Sequence, residues 1–272
     1  MKDFLGLMAA SSRARVGDLR SREPLAKLRV RAFESAVPPR FSRHKRFDLM
    51  AEFKRRSPSA GTLARCDVAA RVAAYAQGGA AAVSVVTEPT QFGGELSHLR
   101  TAAETLAPLG VPVMRKDFIV DPYQVFETRA AGGGGILLIV RMLSQYQLAE
   151  LIDCTRELCL FVLIEAFDEA DLESTETLVA REARGTNGVP VMVGINCRDL
   201  RSLSVRPERF AELAPRLPSH AVKVAESGIE SPLDCAAAVR AGYNMALVGT
   251  SLMRSREPAP LVANMLAAGR SA

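Results

Sequence analysis

The chain has 272 residues, of which 48% are hydrophobic and 24% charged, and it carries a net charge of +5 at neutral pH. That length suits one large α/β domain, and the composition excludes disorder as a description of the whole chain. No unbroken apolar run approaches the roughly 20 residues that a membrane helix needs.

The first unit, residues 1–46, is a basic arm. It holds 12 Lys/Arg against 4 Asp/Glu, or +8, which leaves the remainder at −3. Arg13, Arg15, Arg20, Arg22, Lys27, Arg29 and Arg31 carry most of the excess. Its opening, MKDFLGLMAA, has a short apolar stretch, but Asp3 sits beside Lys2, a poor match to a cleaved leader. A basic arm suits either nucleic acid or a solvated helical face. The rest of the chain is slightly acidic, only 6% of residues are aromatic and Trp is absent, so stacking platforms for bases are scarce and no nucleic-acid partner is expected. Five cysteines (Cys66, Cys154, Cys159, Cys197, Cys235) are scattered without a CxxC pair. An odd, sparse set fits free thiols in a reducing cytoplasm better than a disulfide framework.

From residue 47 to 272 one pattern recurs: a short apolar run, a polar turn, then an Ala/Leu/Glu/Arg-rich helical stretch. The runs are 48–53, 81–87, 111–115, 136–140, 160–166, 191–196, 221–227 and 245–250. They are nearly continuous in apolar residues, as strands buried on both faces are. Helices are predicted at 68–79, 96–107, 121–133, 143–158, 168–183, 206–217 and 231–243, several ending at Gly. Eight strands, each followed by a helix, predict an α/β fold, a (β/α)8 TIM barrel with an N-terminal helical extension. The turn after the first strand, KRRSPSAG, is not the Gly-rich fingerprint of a doubly wound sheet.

Barrel chemistry sits at the C-terminal ends of strands. The first strand ends in Glu52-x-Lys54, the third in Arg115-Lys116-Asp117, the fifth at Glu165, the sixth in Asn196-x-Arg198, the seventh in Glu226-Ser227-Gly228 and the eighth in Gly249-Thr250-Ser251. Met50, Glu52 and Lys54 share a face by period two, which turns that face into the barrel. A single charged strand end is most often a solvated turn; six of eight predict a functional mouth. Glu52, Glu165 and Glu226 against Lys54, Lys116 and Arg198 make a balanced set, the kind of crowding that shifts pKa values for acid–base work. A phosphate is expected at the turns after strands seven and eight, where small residues let backbone N–H groups approach an anion. Gly132–Gly135 imitates a phosphate loop but precedes a strand, so it is read as a turn at the far end of the barrel. His44, His98 and His220 are isolated in polar stretches, which leaves no metal cluster and no cofactor motif.

These stretches resemble a known family. Ala51-Glu52-Phe53-Lys54-Arg55-Arg56-Ser57-Pro58-Ser59-Ala60-Gly61 is similar to the strand-one signature of the indole-3-glycerol phosphate synthases. Ser84–Glu88 with Phe92-Gly93-Gly94, Met114–Gln124, Leu163–Glu165, Gly194–Leu200, Ala225–Ile229 and Val248–Arg254 continue the match, in order, over roughly 45–256. The resemblance implies conversion of 1-(2-carboxyphenylamino)-1-deoxyribulose 5-phosphate to indole-3-glycerol phosphate, CO2 and water in tryptophan biosynthesis. It implies a small-molecule substrate and no cofactor or metal, in a cytoplasmic monomer or homodimer. Residue by residue, Lys116 matches the general acid and Glu165 the acid that steadies the cationic intermediate. Glu52 and Lys54 match a coupled pair, Asn196 and Arg198 orient substrate, and Glu226 and Ser227 complete the mouth. Which of Lys54, Glu52 and Glu165 handles dehydration stays open. Ser57, Gly228, Gly249 and Thr250 match phosphate contacts; Phe92, Phe118, Pro58, Leu137 and Leu203 match the wall of the anthranilate pocket, with ordinary core as the alternative reading of each.

Departures from the family pattern are Cys197, Phe167, an inserted loop at 184–190 and the unusually basic arm. The resemblance folds the arm over the mouth, and its charge leads us to expect that it attracts a doubly anionic substrate. Two other readings compete. One is a paralogous phosphosugar barrel such as phosphoribosylanthranilate isomerase, which relies on a Cys/Asp pair. The other is an inactive binding barrel.

Overall fold

The structure is a computed structural model that describes residues 4–42, 46–59, 61–63, 66–184, 190–199 and 202–272. The arm gives α1 (Phe4–Arg22) and α2 (Leu25–Glu34). Next come β1 (Asp48–Phe53), the two short strands β2 (Arg56–Ser57) and β3 (Gly61–Thr62), α3 (Val68–Gln77), β4 (Ala82–Val86), α4 (Pro89–Phe92), α5 (Leu96–Leu106), β5 (Val113–Lys116) and α6 (Pro122–Ala130). The second half holds β6 (Gly135–Ile139), α7 (Gln145–Glu157), β7 (Phe161–Ala166), α8 (Glu169–Arg184), β8 (Val191–Asn196) and α9 (Arg209–Leu213). It ends with β9 (Val222–Glu226), α10 (Pro232–Arg240), β10 (Met245–Val248), α11 (Thr250–Arg254) and α12 (Pro258–Ser271).

The apolar runs have no polar face to show to water, and every residue of β1, β4, β6, β7 and β10 is buried. Eight parallel strands close in the order β1-β10-β9-β8-β7-β6-β5-β4. Alternation divides each strand. Met50, Met114, Leu137, Leu163, Met192, Val224 and Met245 fill the interior. Leu49, Ala51, Phe53, Val83, Leu138 and Ile164 pack outward against the helices. The helices start where the sequence supplies caps: Asp67 and Asp121 accept first-turn N–H groups, and Ser144 and Ser231 form capping boxes with Gln147 and Asp234.

Gly132–Gly135 lies below the barrel, as its position before β6 predicts. Gly134 faces Pro38 and Pro39, and a Cβ at Gly135 would overlap the Phe161 ring. The arm spans the barrel from one end to the other. In α1, Met8, Ala9, Ser12 and Val16 are buried, and Ser12 donates to the Phe118 carbonyl at the top rim (2.5 Å). In α2, Leu28 and Ala32 are buried, and the Arg29 guanidinium lies 4.7 Å over the Phe126 ring of α6. Arg129 of α6 donates to the carbonyls of Ser35 and Ala36, and Phe41 then packs beneath the barrel against Phe161, ring centroids 5.3 Å apart.

Several elements differ from the sequence reading. The last strand stops at Val248 rather than 250, because Gly249 caps α11 and Thr250 opens it. The helix expected over 206–217 is reduced to α9 and a 3-10 turn at Ala214–Arg216, where Pro215 cannot continue an α-helix. The closing helix α12 was not anticipated; it packs on α3 and α10, with Gly269 against Phe47. Within the expected inserted loop, 185–189 lie outside the described residues, as do His44, Ala60 and Leu200.

Phe41 acts as a plug. Phe41→Ala is expected to cost about 3 kcal/mol by leaving a void under Phe161, read as a lower urea midpoint with an unchanged far-UV spectrum.

Candidate active site

Each residue predicted for the site lines one cavity at the C-terminal ends of the strands: Glu52, Lys54, Lys116, Glu165, Asn196, Arg198, Glu226 and Ser227 at its floor and rim, Ser57, Gly228, Gly249 and Thr250 on one side, and Phe92, Phe118, Pro58, Leu137 and Leu203 as apolar wall. The interior face that carries Met50 carries Glu52 one layer higher, and Asn196 stands beside Glu226 in the β8–β9 ladder.

At the centre is the Lys116 ammonium. Its Nζ donates to Glu165 Oε2 at 3.0 Å and lies 3.5 Å from Glu226 Oε2. Burial alone would lower the lysine's pKa, but Glu165, Glu226 and Glu52 outweigh it and hold the proton more tightly than usual. Glu52 pairs with Lys54 Nζ at 2.5 Å. Burial would raise the Glu52 carboxyl, yet Lys54 and Lys116 bring it below the ordinary range. Glu226 goes the other way. Burial, and then the neighbouring Glu165, push it well above a usual carboxylate, and neither of its oxygens finds a hydrogen-bond partner among the described groups. In the balanced set read from sequence, Glu226 is thus the acid whose surroundings least favour its charge, and Arg198 donates to the Leu203 carbonyl (2.9 Å).

Two glycines make this crowding possible. A Cβ at Gly194 would overlap Glu226 Oε1, and one at Gly249 would overlap Glu52 Oε1. Gly249 entered the sequence reading only as a phosphate contact, and Gly194 carried no role there. Nothing in their local pattern announces a carboxylate on a neighbouring strand. At the end of β9, Ser227 (φ +65°) and Gly228 (φ +79°) are consecutive left-handed residues, a turn that aims successive backbone N–H groups to one side.

The wall holds residues that sequence reasoning missed. Phe4 of α1 reaches in from the arm and meets Phe118 edge-on (centroids 6.0 Å), and Phe92 lies 6.3 Å from the same ring. Val86, Ile139, Ile229 and Leu247 add apolar surface; Ser59 and Glu230 add polar atoms. Two further acids at the cavity already have partners. Glu88 caps α4 by accepting from the N–H groups of Thr90, Gln91 and Phe92, which fixes the Phe92 wall. Asp117 accepts from Thr87, Arg115 and Arg15. Burial would raise the Asp117 carboxyl, but Arg115 and Arg15 bring it to about 2. The motif spacing pointed to Lys116; no signal in the sequence linked Asp117 to an arginine 102 positions earlier.

The basic arm reaches both the barrel wall and the cavity. Arg15, Arg20, Arg29 and Arg31 form ion pairs with Asp117, Asp121, Glu157 and Glu23, and Phe4 is the arm's contribution to the described cavity lining. Of the departures from the family pattern, Cys197 is buried, its thiol pushed up to about 12 by burial, and Phe167 lies under the Arg141 guanidinium at 4.5 Å. All five cysteines are free. His98 is buried edge-on to Phe53 rather than in a polar setting, and no group of three metal-ligating side chains occurs among the described residues. Nor, among them, is any helix long and apolar enough to cross a membrane.

A family model described as indole-3-glycerol phosphate synthase matches residues 6–265. The chain is 41% identical over 263 residues to the indole-3-glycerol phosphate synthase of Nocardioides sp., covering 95% of this chain and 96% of the relative. It is 40% identical over 237 residues to that of Kineococcus radiotolerans, covering 87% and 82%. Among solved structures it is similar in fold to 3-hexulose-6-phosphate synthase from Salmonella typhimurium (TM-score 0.62, 12% identity, 82% and 98% covered) and to thiamine phosphate pyrophosphorylase from Pyrococcus furiosus (TM-score 0.59, 12% identity, 84% and 97% covered).

A carboxyl whose pKa is higher in the folded than in the unfolded chain stabilises the fold at low pH and loses that contribution as pH rises through its folded value. Between mildly acid and alkaline pH, the Glu226→Gln variant is therefore expected to lose less stability than the wild type, as read from denaturation midpoints across that series.

Proposed function

The chain belongs to the indole-3-glycerol phosphate synthase family, and from that premise we propose how its rim residues close an indole ring. The reaction is that of a carboxy-lyase of tryptophan biosynthesis: 1-(2-carboxyphenylamino)-1-deoxyribulose 5-phosphate becomes indole-3-glycerol phosphate, CO2 and water. The observation that carries the proposal is the shared ammonium, Lys116 Nζ at 3.0 Å from Glu165 and 3.5 Å from Glu226, beside an aromatic wall.

The substrate's anthranilate ring lies between Phe92, Phe118, Pro58, Leu137 and Leu203, with Phe4 covering it. Its phosphate takes the small-residue side, where Ser57, Gly228, Gly249 and Thr250 offer a hydroxyl and backbone N–H groups. As the carboxyl-bearing ring carbon attacks the ketone, Lys116 gives a proton to the developing alkoxide. The ring becomes cationic, Glu165 steadies that charge, and the ring's carboxylate leaves as CO2. Asn196 and Arg198 orient the ribulose hydroxyls; Asn196 Oδ1 accepts from the Arg198 N–H (2.9 Å), so the two hold each other in place. The new hydroxyl leaves as water, with Lys54 and Glu52, 2.5 Å apart, as the acid–base pair on that side of the cavity. Glu226, its carboxyl held well above the usual range by burial and Glu165, completes the polar setting of Lys116 at 3.5 Å. Each step uses side chains alone.

The isomerase alternative draws no support from the cavity, whose described lining holds no cysteine. The inactive-barrel alternative would leave a buried ion network with nothing to act on.

Lys116→Ala is expected to lower kcat by at least about a hundredfold, with circular dichroism unchanged, when indole fluorescence is followed on the carboxyphenylamino-deoxyribulose phosphate. Retained turnover would sink the assignment of Lys116 as the acid.

A further inference from the structure

Asp117 lines the cavity between Lys116 and Phe118, yet its side chain is fully buried and committed to partners of the scaffold. One carboxylate accepts from Arg15 Nη2 (2.8 Å) and Nη1 (3.2 Å), Thr87 Oγ1 (2.8 Å), Arg115 Nη2 (3.2 Å) and the Phe118 N–H (2.8 Å). These donors come from α1, the end of β4, β5 and the turn after it. Arg115 is itself committed to α6, with Glu127 at 2.7 Å and the Gln124 carbonyl at 3.3 Å. Among the described residues, Arg15 is thus the arm's one ion pair to this rim segment next to the lysine.

The same helix grips the segment twice more. The Ser12 hydroxyl donates to the Phe118 carbonyl (2.5 Å) and accepts from Gln124 Nε2 (3.0 Å). Phe4, one turn before Met8, lies edge-on to the Phe118 ring and lines the cavity. One end of α1 therefore touches the substrate space while its middle holds the carboxylate beside Lys116. The peptide joining residues 116 and 117 is a rigid planar unit, so a displaced Asp117 carries the Lys116 backbone with it. An error of about 1 Å in a reacting group can cost up to a hundredfold in rate.

We infer that Arg15 is a positioning residue: through Asp117 it sets the place of Lys116, so that seating of α1 and assembly of the ring-closing acid are one event. Electrostatic steering of the anionic substrate is a different role, and the geometry speaks against it. The Arg15 charge is matched by Asp117, and Arg15 does not line the described cavity.

The inference rests on the ring-closure reading, and the experiment separates the two. Steady-state kinetics are measured on wild type, Arg15→Met, Arg15→Lys and Arg20→Met. Arg20 pairs with Asp121 (2.7 Å), so it ties α1 to the same region without reaching Asp117. Arg15→Met is expected to lower kcat about tenfold while KM stays within about twofold. Arg15→Lys recovers part of that loss, and Arg20→Met behaves as wild type. An unchanged kcat in Arg15→Met overturns the inference. So does a change confined to KM, which would mean steering, or an equal loss in Arg20→Met, which would mean arm docking in general. Should Arg15→Met not fold, Asp117→Asn takes its place, with the same kcat loss expected and an unchanged kcat overturning the proposal. A wild type inactive on the carboxyphenylamino-deoxyribulose phosphate would instead mark a failure of the ring-closure reading.

Discussion

An ammonium held among three buried glutamates is the constraint around which the rest of the site is arranged. Lys116 keeps its charge because Glu165, Glu226 and Glu52 surround it, and Lys54 and Lys116 offset the burial of Glu52. Burial and the neighbouring Glu165 push the Glu226 carboxyl the opposite way, well above the usual carboxylate range. A proton donor is thereby kept loaded next to an acceptor, in a cavity whose other side is apolar. A carbonyl oxygen entering that space meets a polar environment already aligned for the charge it will develop.

Such crowding demands room, and the barrel provides it by omission. Gly194 and Gly249 lie under the carboxylates of Glu226 and Glu52, where any side chain would collide. One layer down, Met50, Leu163 and Val224 close the interior and keep water from the underside of the network. Around the rim two more acids are satisfied by the scaffold: Glu88 by the start of α4 and Asp117 by two arginines and a threonine.

The strands were legible because burial on both faces leaves continuous apolar runs, and the site because its polar residues break those runs at one end only. Every residue given a catalytic, phosphate or anthranilate role lines the cavity, whereas Arg115 and Ser251 of the same strand ends are not part of its lining. Interactions between distant parts of the chain were not legible. Phe4, the Arg15–Asp117 pair and the space above Gly194 depend on contacts across elements, and no local period or spacing encodes them. The surplus of arginine in the arm was visible as charge, but its use was not. Arg15, Arg20 and Arg29 bind it to the body of the barrel, while Arg31 braces the junction of α1 and α2 through Glu23. The upward push on the Glu226 carboxyl likewise follows from enclosure, which composition does not report.

The arm's anchoring points lie far along the chain: Ser12 meets Phe118, Arg29 meets Glu157, and Phe41 meets Phe161. During synthesis the arm leaves the ribosome before any of those anchors exists. Its apolar stripe and its arginines must therefore wait, unpartnered, until β5, α7 and β7 have emerged. The arm's seating thus waits on segments made well after it, and nascent chains halted before the barrel's midpoint would present that stripe to chaperones.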